Sequence, residues 1–121
     1  MVAWSRQRGQ ATVELALLLP LVVMALLAVV QVGLVVRDQL AVVHAAREAV
    51  RVASVDPDGG HVRDAARRVV RGASVEISAR GRIGDTVEVT VSHRSVTNLP
   101  LVGALFPDPT LHAHAVMRIE R

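Results

Sequence analysis

The spacing of hydrophobic positions changes character three times along this chain. From Leu15 to Val36 no residue is charged, and only Gln31 interrupts the apolar run. At about 1.5 Å per residue a helix over that stretch measures about 33 Å, which matches a hydrocarbon core of about 30 Å. The pattern predicts a membrane-spanning helix, because a chain of 121 residues has too little material to wrap so long an apolar cylinder on every side. Beyond it the period stays helical but becomes two-faced. Val36, Leu40, Val43, Ala46, Val50 and Ala53 fall along one stripe, with Arg37, His44, Glu48 and Arg51 opposite, so the helix is expected to continue as an amphipathic stem. The turn signal Asp56-Pro57-Asp58-Gly59-Gly60 ends it.

A second, short helix is expected from Val62, Ala65, Ala66, Val69 and Val70, which repeat at helical spacing with Arg63, Asp64, Arg67, Arg68 and Arg71 on the other side; Gly72 is its stop. The Arg-rich side reads as a solvated face. The period then drops to two. Val75, Ile77 and Ala79, then Val87, Val89 and Val91, alternate with polar residues around a Gly81–Asp85 turn, and Leu111, Ala113, Ala115, Met117 and Ile119 alternate near the carboxyl end. These predict a three-stranded antiparallel sheet with one wet face, and an α+β fold: a long amino-terminal transmembrane and stem helix, a short helix, then the sheet. The connection from Arg94 to Pro109 is long and apolar. Leu99, Leu101, Leu105 and Phe106 mark it as a surface that docks a partner or covers the domain's own core, ahead of one that dips into a membrane interface.

Charge sets the orientation. Arg6 and Arg8 precede the span on a short amino-terminal segment, so the positive-inside rule leaves that end in the cytoplasm and exports the chain beyond Val36. The 14 basic residues, all Arg, exceed the acids by only +3. The high isoelectric point of about 11.2 therefore reflects the absence of Lys rather than a strong field. With 2% aromatic residues there are no stacking platforms for single strands, and nucleic-acid binding has no support. No Cys is present, which excludes disulfides, thiolate chemistry and Cys-based zinc sites.

One carboxylate stands at the edge of the uncharged run. Glu14 comes directly after Arg6-Gln7-Arg8-Gly9-Gln10-Ala11-Thr12-Val13, and a charge there carries an insertion cost of about 2.5–3.5 kcal/mol at mid-bilayer, less at the interface. A short basic leader ending in Gly, with Glu at the fifth position after it, is similar to a type IV prepilin processing site. That likeness implies cleavage between Gly9 and Gln10 by a prepilin peptidase, with Gly9 letting an extended leader approach the enzyme. It leaves Glu14 available to neutralise the new amine of a neighbouring subunit; the plainer role of Glu14 is a first-turn carboxylate favoured by the helix dipole.

The stretch from Arg8 through Glu14 to Pro20, the segment Ala45-Ala46-Arg47-Glu48-Ala49-Val50-Arg51 and the closing Ala113–Glu120 together resemble the TadE-like family of tight-adherence (Flp) pilus assembly proteins. The resemblance implies a pilin-like fold and a pseudopilin: a minor, membrane-anchored subunit that works by contact with other pilin-like subunits, assembly proteins and the lipid bilayer. The expected organisation is a leader over 1–9, a transmembrane and stem helix over 10–56 with the span at about 15–36, and a small extracytoplasmic α+β domain over 57–121. The competing reading is an uncleaved single-pass anchor presenting a ligand-binding or sensory domain. No phosphate loop, nucleophile elbow or zinc-protease motif occurs. His112 and His114 share a strand face but lack a third ligand of defined spacing, so neither enzymatic activity, a metal, a cofactor nor a small-molecule substrate is expected.

Overall fold

The computed structural model describes residues 4–78, 81–96, 103–104 and 107–120, with side chains from Gly9 onward. Five elements occur in order: α1 (Trp4–Val55), α2 (Gly59–Val69), β1 (Ser74–Ile77), β2 (Thr86–Arg94) and β3 (Thr110–Arg118). The strands form one antiparallel sheet in the order β1-β2-β3, so the expected α+β arrangement is observed. Contacts divide the chain into an amino-terminal unit, whose helical part runs to Gly33, and a second unit made of Leu34–Val96 with the chain from Asp108 on.

In the second unit the carboxyl half of α1 is itself part of the core. Val42, Ala45, Ala46, Ala49, Val50 and Ala53 are all buried and recur at spacings of three and four, which is one face of a helix. They cluster with Val62 and Ala66 of α2, with Val87, Val89 and Val91 of β2, and with Leu111 and Ile119. The stripe differs from the one expected. Ala46, Val50 and Ala53 are on it, but Leu40 is 58% exposed and Val36 53%. The buried face of α1 is made of small Ala and Val side chains that share one core with the Val ladder of β2, and the larger Leu40 is left off it.

Local chemistry accounts for the element ends. Asp58 caps α2, its Oδ1 accepting from the Gly60 N–H at 2.7 Å, as a short acidic side chain does at a helix start. After Val69 the chain turns at Gly72 with φ of 74°, a left-handed conformation that a side chain would strain. Gly84 takes φ of 95° in the β1–β2 connection, and its N–H donates to the Ile119 carbonyl at 2.9 Å. Ile119 in turn donates to Asp85, and Glu120 N–H to the Ser54 carbonyl of α1. The carboxyl end is thus clipped to both the hairpin and the stem. Along β2 burial alternates through Val87, Val89 and Val91, giving the expected single dry face; in β3 the alternation holds from Leu111 to Ala115 and fades at Met117, which is 37% exposed. Ala79 and Arg80, expected at the end of β1, lie outside the described residues.

Candidate functional site

The residues expected to carry function at the amino terminus all fall on α1. Gly9 and Gln10 are inside the helix, which begins at Trp4, so the bond between them is helical here rather than extended. Glycine is not required there by packing: a Cβ at Gly9 meets nothing within 4 Å. In a helix interior that choice costs about 1 kcal/mol relative to Ala, and no contact in the fold returns it. Glu14 is exposed and has no ion-pair or hydrogen-bond partner among the described residues. Gln10 and Glu14 are four residues apart, so they lie one turn apart on the same helix face.

Glu14 opens on an apolar surface that the described residues leave exposed. Leu15, Leu17, Leu19, Leu21, Leu26 and Val29 are between 57% and 74% exposed. The described residues contain one helix, Gly9–Val55, long and apolar enough to cross a membrane, and none of its most apolar window is buried. The core helix of a soluble fold buries its apolar side chains; the most apolar window of α1 does not. Pro20 is accommodated inside α1, as prolines are in spanning helices whose neighbours restore the freed backbone group.

Residues 9–51 match the family model of the TadE-like proteins. The match bears out the resemblance over this segment. It begins at Gly9, takes in Gln10 and Glu14, and ends at Arg51 on the stem. The TadE-like segment therefore holds the apolar helix and most of the buried stem face together. No curated protein and no solved structure matches the chain.

Other expected residues are placed differently. Leu99, Leu101, Leu105 and Phe106 lie outside the described residues. His112 and His114 are exposed on β3, and among the described residues no group of three or more His, Asp or Glu is arranged to hold a metal ion. Two polar contacts that sequence spacing does not reveal join the stem to the sheet. The Ser95 hydroxyl donates to Asp38 at 2.6 Å, and Gln39 Nε2 donates to the His112 carbonyl at 3.1 Å. Nearer the stem's end, Arg51 pairs with Glu48 at 2.7 Å; the Arg51 guanidinium holds the Glu48 carboxyl below its ordinary range.

Proposed function

We propose that this chain is a pseudopilin of the tight-adherence (Flp) pilus, a minor subunit anchored in the cytoplasmic membrane by α1. In this reading the amino terminus is cytoplasmic and the sheet-bearing unit extracytoplasmic, in keeping with Arg6 and Arg8 ahead of the span. A prepilin peptidase cuts between Gly9 and Gln10. The new amine at Gln10 and the carboxylate of Glu14 then provide opposite charges where the helix enters the apolar phase, and a neighbouring pilin-like subunit supplies the partner for each. The subunit acts by protein contact in the bilayer and runs no reaction of its own. The apolar connection with Leu99, Leu101, Leu105 and Phe106 is a second docking surface in the same reading.

The observation that carries the proposal is the coincidence of the TadE-like match at residues 9–51 with a glycine that packing does not need and a Glu14 that has no partner among the described residues. A glycine with no packing role is well explained by recognition by another molecule. The test is amino-terminal sequencing, or intact mass, of the membrane-extracted chain from cells with the cognate peptidase. A start at Gln10 supports processing; a retained leader overturns it. The helical state of the Gly9–Gln10 bond favours the competing reading of an uncleaved anchor, since proteolysis needs an extended backbone. Under the pseudopilin reading the peptidase must unwind this first part of α1, which glycine makes easier.

A further inference from the structure

The sheet ends at β3, and its outer edge is open over much of its length. Flanking bonds fix which backbone groups face outward. Ser95 N–H donates to the Pro109 carbonyl and Ile119 N–H to the Asp85 carbonyl, and the ladder pairs Leu111 with His93 and Met117 with Val87 in the same register. In an antiparallel pair the bonded residues alternate, so odd-numbered residues of β3 bond to β2 while His112, His114 and Val116 turn N–H and C=O outward. The stem closes one end of that edge, where Gln39 takes the His112 carbonyl at 3.1 Å. From His114 to Met117 it does not. There α1 and β3 line a groove of about 630 Å³.

The groove combines three features. One wall offers the strand edge at His114 and Val116, to which no other strand pairs among the described residues. Its lining includes apolar Val43, Val50 and Met117. Its rim is cationic: Arg51 is satisfied by Glu48, but Arg47 has no partner among the described residues. An open edge without Pro or inward charge is a template for another chain, and the exposed Arg47 selects for a carboxylate. A second copy meeting edge to edge would bring Arg118 and Arg47 of both chains together, which like charge disfavours.

We propose that the groove between α1 and the outer edge of β3 receives an extended, carboxylate-bearing segment of another protein, which adds to the sheet as a fourth strand and sets its acid against Arg47. Main-chain bonds supply affinity and the Arg47 rim supplies selectivity, as in other strand-addition sites. The proposal does not depend on processing at Gly9 or on the role of Glu14.

The test uses the full chain in detergent micelles and a fluorescein-labelled peptide of alternating Thr and Val with one central Glu. Anisotropy should report binding, and amide exchange at His114 and Val116 should slow when the peptide is present. Methylating alternate peptide nitrogens should abolish binding. Arg47→Gln should weaken it about ten-fold, the loss of one charge-assisted contact, and Arg47→Glu should shift preference to the peptide with Lys in place of Glu. Circular dichroism verifies that both variants keep the fold; Arg47→Gln, neutral on an exposed helix face, serves if Arg47→Glu does not. Binding indifferent to N-methylation overturns strand addition, as does exchange that stays fast at His114 and Val116. Slowed exchange at these amides without peptide, if it depends on chain concentration, assigns the edge to a second copy. If it depends on added anionic vesicles, it assigns the edge to lipid. Either result overturns the proposal.

Discussion

The Ser95 hydroxyl meets the Asp38 carboxylate at 2.6 Å, joining the end of β2 to a point on α1 far away in sequence. Ser95 is 3% exposed, and its N–H is also occupied, donating to Pro109 at 3.0 Å. A buried hydroxyl that gives its proton to a carboxylate makes one of the stronger hydrogen bonds available, of about 1.5–3 kcal/mol. Together with the Gln39 contact to His112, it fixes where along the stem the sheet sits.

Removing one partner should therefore cost more than removing both. Asp38→Ala leaves Ser95 buried without its acceptor, and is expected to destabilise the full chain in detergent by about 1–3 kcal/mol. Ser95→Ala removes the donor as well, so the double variant should recover part of that loss. A double-mutant cycle from denaturant unfolding measures the coupling. Additive losses would mean that Asp38 and Ser95 stabilise the fold independently.

The core makes a second prediction, in which size is the variable. Ala49 and Val89 are both fully buried in the same core cluster, where small side chains on α1 face medium ones on the sheet. Ala49→Leu should overpack the contact and cost about 1–3 kcal/mol. Val89→Ala should cost about 2 kcal/mol through the cavity it leaves. Combining them should be less damaging than the sum, because the added methyl groups enter the vacated space. Full additivity in unfolding experiments would mean that the two side chains do not share that space.

The element types, their order and the antiparallel sheet are legible from periodicity, because helical spacing and two-residue alternation are distinct periods. The buried stripe of the stem is legible only in part. Leu40 and Val36 attract attention as large apolar residues, yet the helix turns Ala45 and Ala49 inward, and the size of a side chain alone does not say which face a helix buries. Gly9 and Glu14 stand out by their neighbours in sequence. Asp38, Gln39 and the groove at His114 do not, because their partners come from distant parts of the chain and no local pattern encodes such a meeting.

Acid should stabilise the start of α2. His61 Nδ1 lies 2.7 Å from the Asp56 carboxylate, and this hydrogen bond, then the charges of Asp56 and Asp58, raise the His61 pKa above its ordinary value near 6.5. A pKa raised by folding contributes stability that is complete below the unfolded value and is lost as pH rises through the folded one. The melting temperature of the parent chain should accordingly exceed that of His61→Ala most below the ordinary histidine pKa of 6.5, with the gap closing as pH rises above it. The effect is small, since the ring is exposed and the pair is screened. A gap that widens with pH would assign His61 a role in its neutral form.

The processing site yields the last prediction, in which Gly9 and Glu14 separate. A Cβ at Gly9 meets nothing within 4 Å, so Gly9→Ala and Gly9→Asp should leave helix content and membrane insertion unchanged. Both should reduce cleavage: Gly9→Ala by stabilising the helix that must open, by about 1 kcal/mol, and Gly9→Asp more completely, by adding a charged side chain at the scissile bond. Glu14→Leu should behave in the opposite manner. It removes the carboxylate at the edge of the span and is expected to insert at least as well, since the cost of that charge disappears, and to be cleaved, yet to fail to enter the pilus machinery. Gel mobility of extracted protein reports cleavage, and co-purification with pilin-like subunits reports assembly. Normal piliation with Glu14→Leu would reduce Glu14 to a helix-start carboxylate, and normal cleavage of Gly9→Asp would mean that the bond after Gly9 is not the one recognised.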